Sequence, residues 1–387
     1  MVLPMLLTML TACPDKDVSP AETGLEPICV EGTAPWSTGQ DLFENRSEAW
    51  GLADSGFTGT LLTAVDFDGD GWTDLAVRDH GGGAWLLRNT GEGAFEDVTE
   101  ASGIRASRES DEPRPGQVWA WADVDNDGDL DVYTGLPDDG SSDETSELLK
   151  NNGDGTFSLF KAGELRVSRN DSPTGASFTD IDRDGHVDLW VPQSYSLGPV
   201  QDRLYRNDGD AKYTDVTFEW GLDTDGWSPI AAADGSSHTV AWSALACDLT
   251  DDGDPELLSS SYGRAPNHLW KHLGSSFENH SVASGYAYDA RTDWTDNESA
   301  RCYCKYNQQL SECQGVPSPQ YIACSSAGDA FRWNHTYDRE LGRLGGNSGG
   351  TVCRDVDGDG AMDLLTTEIV HWDVGTSSDP AELLFND

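Results

Sequence analysis

The sequence predicts an all-β chain folded as a β-propeller, with four-stranded blades of roughly 60 residues each. Three observations carry that expectation. An acidic nonapeptide of the form D-x-D-x-D-G-x-x-D recurs five times, set between short apolar runs such as Leu61-Leu62-Thr63-Ala64-Val65 and Leu75-Ala76-Val77. A second motif, an apolar run, a Gly/Asn turn and another run, falls between the acidic copies. The nonapeptides start at residues 66, 123, 180, 248 and 355, so the spacings are 57, 57, 68 and 107. Two hairpins per period supply four strands, the content of one blade.

Taken in order, residues 1–12 are apolar but too short to span a bilayer. Leu10-Thr11-Ala12-Cys13 resembles a bacterial lipobox, which makes residues 1–13 a signal peptide and Cys13 the site of lipidation. No Lys or Arg precedes the apolar run, which leaves an ordinary signal peptide, or a start further upstream, as the other readings. Residues 14–40 are rich in Pro, Ser, Thr, Gly and acids and read as a flexible tether. Residues 41–387 form the repeat region, with repeats expected at 41–94, 95–156, 157–212, 213–276 and 277–387.

The acidic loops dictate a chemistry. Carboxylates at positions 1, 3 and 5 fall on one side of a tight loop, and the glycine at 6 permits the sharp turn. The carbonyl of position 7 and the acid at position 9 complete an oxygen cage for a hard cation. Such a cage suits Ca²⁺ better than the strictly octahedral, water-retaining Mg²⁺. The side-chain candidates are Asp66, Asp68, Asp70 and Asp74; Asp123, Asp125, Asp127 and Asp131; Asp180, Asp182, Asp184 and Asp188; and Asp355, Asp357, Asp359 and Asp363. The fourth copy is looser: Asp248, Thr250, Asp252 and Glu256. An EF-hand would need an acid at position 12, where Val77, Thr134 and Thr366 stand instead. As acidic turns with no counter-ion, four carboxylates in nine residues would repel one another.

The hairpin motif is clearest in Leu86-Leu87-Arg88-Asn89-Thr90-Gly91-Glu92-Gly93-Ala94-Phe95-Glu96-Asp97-Val98-Thr99. It returns at 148–157 and 204–217 and, degenerate, at 269–277. Together the two motifs resemble the FG-GAP/VCBS repeats of integrin α-subunit propellers and of bacterial relatives of cartilage acidic protein. The resemblance runs from about Asp41 to Asp387 and implies propeller blades with Ca²⁺ held in a hairpin loop of each, about five ions in all. It also implies that the position-7 carbonyls come from Trp72, Asp129, His186, Asp254 and Ala361. Residues 284–345 interrupt the fifth repeat with a Cys-rich insertion carrying Trp294 and Trp333. Residues 381–387 reproduce the start of a hairpin motif. Five repeats are visible where six or seven is usual in this resemblance, so a six- or seven-bladed propeller lacking one or two blades is expected over a closed five-bladed ring.

The formal charge is −45, from 24 Lys and Arg against 69 Asp and Glu. That surface repels nucleic acid and anionic lipid, leaving a membrane link only through an N-terminal lipid. The acidic loops hold 22 of the acids, so cation binding should stabilise the fold strongly. Of eight cysteines, Cys302, Cys304, Cys313 and Cys324 lie close in sequence. They read as two disulfides of an exported chain or as a zinc cluster, with the pairing among these, Cys29, Cys247 and Cys353 open.

Catalytic signals are weak. Gly346-Asn347-Ser348-Gly349-Gly350 resembles a serine-protease nucleophile segment, but it sits where other repeats carry a small-residue inner strand. His238, His268, His272, His280, His335 and His371 form no ligand spacing. Trp119, Trp121 and Trp242 precede acidic loops and are expected between blades. The reading is a non-catalytic, calcium-stabilised binding module outside the cytoplasm, for a protein or polysaccharide at the cell surface. The other reading is a carbohydrate-active enzyme, a polysaccharide lyase or hydrolase, which would need a cluster of basic or Tyr side chains around a central cleft.

Overall fold

The computed structural model describes residues 43–386 with interruptions, the longest at 137–143, 227–234, 325–347 and 370–380. Cys13, Cys29, the tether, Trp294, Trp333, His335, His371, Gly346 and Asn347 lie outside the described residues. Residues 49–387 form one compact unit, separate from residues 1–48, and it is this unit that is described.

Its first sheet follows from alternation between the two motifs. Strands β1 (Leu61–Val65) and β2 (Asp74–Arg78) pair antiparallel from Leu61↔Arg78 to Val65↔Asp74, so the first acidic loop is their turn. Strands β3 (Ala84–Asn89) and β4 (Phe95–Asp97) form the second hairpin, and β2 joins the two through Ala76↔Leu86. A one-turn helix, α1 (Thr99–Ser102), follows and stops at Gly103 in the left-handed conformation.

The same plan repeats. The second sheet is β5 (Val118–Ala122), β6 (Asp131–Gly135), β7 (Glu147–Asn151) and β8 (Phe157–Leu159). The third begins with β9 (Ser177–Thr179) and β10 (Asp188–Val191), makes a small ribbon of β11 (Ser194–Tyr195) and β12 (Gly198–Pro199), and ends with β13 (Arg203–Asn207) and β14 (Tyr213–Asp215). The fourth is β15 (Val240–Cys247), β16 (Glu256–Tyr262), β17 (His268–His272) and β18 (Phe277–Asn279). The insertion contributes a helix, α2 (Glu298–Tyr306), and a 3₁₀ turn at Ser311–Cys313. The fifth sheet has three strands among the described residues: β19 (Ser348–Arg354), β20 (Asp363–Glu368) and β21 (Glu382–Leu384).

These five antiparallel sheets are the blades of a β-propeller, and the core lies between successive blades. Phe67, Ala76 and Leu86 of blade 1 pack on Trp119, Val132 and Phe157 of blade 2. Val124 and Tyr133 of blade 2 meet Leu189 and Tyr205 of blade 3. Ile181, Trp190 and Leu204 of blade 3 meet Leu257, Trp270 and Phe277 of blade 4. Each buried Val, Leu, Ile or Phe among them contributes about 1.5–3 kcal/mol. The innermost strands approach closely, since a Cβ on Gly175 would lie 2.8 Å from the Ala244 backbone nitrogen. That crowding explains the small residues that the inner strands carry.

Two expectations change, on the repeat limits and on the cysteine cluster. The repeat limits at 94/95, 156/157, 212/213 and 276/277 fall inside sheets, because the strand after each turn pairs back onto its own blade. Trp119 and Trp121 pack in the core between blades 1 and 2, and Trp242 stacks on Tyr262 of its own blade at 4.9 Å. The zinc alternative for the cysteine cluster gives way to disulfides Cys302–Cys324 and Cys304–Cys313, and a third, Cys247–Cys353, ties blade 4 to blade 5. Ser348 lies buried at the start of β19, where its hydroxyl donates to Glu368 Oε1 at 2.8 Å. No described helix is long and apolar enough to cross a membrane.

Candidate metal centres

All five acidic loops adopt one backbone design. The position-1 carboxylate accepts the N–H of the position-6 glycine: Gly71 to Asp66 at 3.0 Å, Gly128 to Asp123 at 2.9 Å, Gly185 to Asp180 at 3.0 Å, Gly253 to Asp248 at 2.8 Å and Gly360 to Asp355 at 3.1 Å. The position-5 carboxylate accepts the N–H of position 7, as in Trp72 to Asp70 and His186 to Asp184, both at 2.8 Å. These bonds turn the side chains of positions 1, 3 and 5 toward one another.

Oxygens of three carboxylates then converge to within 4.8 Å in four loops: Asp66, Asp68 and Asp70; Asp123, Asp125 and Asp127; Asp180, Asp182 and Asp188; Asp355, Asp357 and Asp359. In the third loop the position-9 acid takes the place expected of Asp184. The fourth loop forms no such group among the described residues, and Thr250 at position 3 is the reason: it brings a hydroxyl where the others bring a carboxylate. The backbone there does match, with Asp254 donating to Asp252 at 2.9 Å.

The residues present fit a cation. Asp66 Oδ1, Asp125 Oδ1 and Asp182 Oδ1 are buried with no hydrogen-bond partner, and a buried carboxylate oxygen without a donor is costly unless a positive charge faces it. The donor set is all oxygen, which is hard-cation chemistry. Burial, joined by the neighbouring carboxylates, raises the Asp68, Asp182 and Asp357 side chains above the usual carboxylate range. Protein cations stand in at two loops. The Lys150 ammonium bonds the carboxylates of Asp125 and, at 2.7 Å, Asp127. Arg183, at position 4 of the third loop, reaches the fourth: it donates to the Asp252 carbonyl at 2.8 Å and pairs with Asp254 Oδ1 at 2.7 Å.

Position 9 has a second task. Asp74, Asp131 and Asp188 are fully buried. One oxygen of each accepts the N–H of loop position 2, from Phe67, Val124 and Ile181 at 3.1, 3.1 and 2.8 Å. The other accepts the N–H of the hairpin asparagine, from Asn89, Asn151 and Asn207 at 2.7, 2.8 and 2.7 Å. Asp363 repeats the pattern with Val356 at 2.8 Å and Asn386 at 3.0 Å; Glu256 keeps the first half, with Leu249 at 2.8 Å. Burial outweighs these bonds and lifts Asp74 to about 6 and Asp131 and Asp188 to about 7.

Sequence reading gave the hairpin asparagines no role, although their recurrence just before the turn was the available signal. Asn151 Nδ2 donates to Phe67 O of the preceding blade at 2.7 Å, Asn207 to Val124 O at 2.8 Å and Asn386 to Leu249 O at 2.6 Å. The following glycine is constrained twice. Gly91 has φ +70°, and a Cβ on it would lie 2.6 Å from the Trp72 indole nitrogen, which covers the turn from position 7 of the loop. Arg183 carried no signal, because position 4 is free in the motif.

The FG-GAP-like repeat family model matches residues 66–134 and again residues 123–191. Among solved structures, a lectin of Agrocybe aegerita described as recognising non-reducing terminal N-acetylglucosamine is 16% identical with a TM-score of 0.35, over 84% of this chain and 66% of that one. The V. cholerae biofilm matrix protein Bap1 is 16% identical with a TM-score of 0.29, over 56% of this chain and 27% of that one. The chain thus spans less than two thirds of either, and at these TM-scores neither likeness bears on what it binds. The two overlapping family matches fall on blades that carry both repeat motifs and identify residues 66–191 as FG-GAP-like repeats.

Proposed function

We propose that this protein is a calcium-stabilised propeller working outside the cytoplasm as a non-catalytic binding module for a protein or polysaccharide. Residues 1–12 would direct export and be removed, and the lipidated Cys13 would hold it to a bacterial outer membrane or cell surface, with residues 14–40 as tether. The observation that carries the metal reading is the set of buried carboxylate oxygens with no donor in loops 1 to 3. Three disulfides support an oxidising compartment.

In this reading Ca²⁺ is structural. It sits at the four loops with convergent carboxylates, the fifth position of the notional set being the fourth loop, where Arg183 supplies part of the compensating charge. Each ion cancels the repulsion that opposes closing its hairpin, and so fixes the blade edge from which the connecting loops spring. The ligand is taken by those loops and by the disulfide-bonded insertion around α2.

Isothermal titration of the chelated protein should return close to four Ca²⁺, and calorimetry should give a melting temperature that falls on adding EGTA. A melting temperature indifferent to EGTA would sink the metal reading. A glycan array probed with and without Ca²⁺ tests the ligand class, and release of products from acidic polysaccharides would overturn the non-catalytic reading.

A further inference from the structure

Position 4 of the acidic loops is free in the motif, yet its backbone is left-handed in all five copies. There φ is +70° at Gly69, +60° at Asn126, +59° at Arg183, +54° at Asp251 and +82° at Gly358. Glycine adopts that conformation freely, and asparagine or aspartate at small cost, whereas an arginine is held there against its preference. Arg183 stands between Asp182 and Asp184, two carboxylates of the third loop. Closure of that loop is what fixes the arginine's backbone.

Two of these side chains reach the loop of the next blade, in one register. Asn126 Nδ2 donates to the carbonyl of Gly185, position 6 of the third loop, at 2.9 Å, and lies 3.0 Å from His186 Nδ1. Arg183 Nε donates to the carbonyl of Gly253, position 6 of the fourth loop, at 3.2 Å. Its Nη2 adds Asp252 O at 2.8 Å and Asp254 Oδ1 at 2.7 Å. The fourth loop is shaped to receive it, since a Cβ on Gly253 would lie 2.6 Å from Arg183 Nη2. Gly69 and Gly358 have no side chain to extend, and the Asp251 carboxylate cannot donate to a carbonyl. An ion pair as exposed as Arg183 and Asp254 contributes little alone. The grip comes from three bonds on consecutive residues of one turn.

We propose that Arg183 couples the two loops, so that closure of the third loop around its ion also closes the fourth, which needs no ion of its own. The coupling rests on the calcium reading of the third loop. The fourth loop is where such help is needed. It is the copy with no convergent carboxylate group among the described residues, because Thr250 stands in place of an aspartate. With the third loop closed, Arg183 is fixed left-handed and its guanidinium lies on residues 252–254. With the third loop open, Arg183 returns to the right-handed region that it prefers, and the side chain leaves the fourth loop. The equilibrium of the fourth loop is thereby shifted by a ligand it does not touch.

Hydrogen exchange read by mass spectrometry, loop by loop on the full chain in Ca²⁺ and in EGTA, tests this. Residues 248–256 should exchange about five-fold or more slowly in Ca²⁺, the lower end of ordinary coupling between sites. Arg183→Gly removes the guanidinium and keeps the left-handed backbone. In that variant Ca²⁺ should still slow residues 180–188 but leave residues 248–256 at their EGTA rate, with the first and fifth loops as in wild type. Asp182→Asn, which weakens the third site, should do the same to residues 248–256 with Arg183 in place. A packing role alone would alter exchange at the fourth loop equally with and without Ca²⁺, and that result overturns the proposal. So does slowing of residues 248–256 that survives Arg183→Gly, because the fourth loop would then take an ion itself. A wild type in which Ca²⁺ slows the other four loops but not the fourth sinks the coupling and spares the calcium reading. If no loop responds to Ca²⁺, both fall.

Discussion

Asp131 and Asp188 carry opposed demands. Their four oxygens hold the loop and the hairpin together through backbone N–H groups, yet burial makes their charge expensive and lifts both to about 7. An unfolded aspartate titrates near 3.9. The folded, chelated protein therefore binds more protons than the unfolded chain between those values, and its stability rises as pH falls through 7 toward 4. Chelated protein should melt higher at pH 5.5 than at pH 7.5. In saturating Ca²⁺ the order should reverse, since protons then compete with the ion. Lys150 gives a second prediction at this scale. Its ammonium bonds Asp125 and Asp127 from a half-buried position and must move for an ion to enter the second loop. Lys150→Met should raise Ca²⁺ affinity at that loop several-fold, in keeping with the ~1 kcal/mol of a partly exposed pair, and lower the melting temperature of the chelated protein. Titration calorimetry reads the first effect and a thermal scan the second.

At the scale of the element, the two hairpins of a blade are one unit because the position-9 acid of the first binds the asparagine of the second. The acidic motif was legible in the sequence since its residues lie within nine positions and each has a chemical reason to be there. The link to the hairpin was not, because Asn207 sits 19 residues from Asp188 and 83 from Val124, distances that only the fold closes. Sheet membership was misread for a related reason: the repeat was cut at the turn, the most visible punctuation, although the strand beyond it pairs backward. The asparagines offer a graded test. Asn207→Ala strands the buried Val124 carbonyl, while Val187 O keeps the Tyr213 hydroxyl at 2.9 Å, and should cost about 2–3 kcal/mol. Asn89→Ala loses the bond to Thr73 without an interblade partner and should cost about 1–2 kcal/mol. Urea denaturation of both in Ca²⁺ measures the difference, and equal losses would remove the interblade bond as a source of stability.

Across the whole molecule, the blades differ in how firmly they are held. The first three junctions have large buried clusters, with Trp119, Tyr133, Trp190 and Trp270 among them. The fourth is smaller: Leu258, Leu269, Tyr286 and Leu364 are its buried side chains besides Cys247. Blade 5 adds a 2.7 Å bond between the Tyr286 and Thr351 hydroxyls and the Asn386 bond to Leu249 O. The Cys247–Cys353 disulfide makes up the difference, for it joins residues 106 apart across this junction. Closing a loop of that length restricts the unfolded chain by about 4–5 kcal/mol in the chain-entropy account. Replacing both cysteines by serine should therefore release blade 5 before the rest. Calorimetry should resolve a new transition below the main one, and limited proteolysis below the main transition should cut the chain between Ser348 and Asn386 first. A single transition at the wild-type temperature would mean that side-chain packing alone secures the last blade.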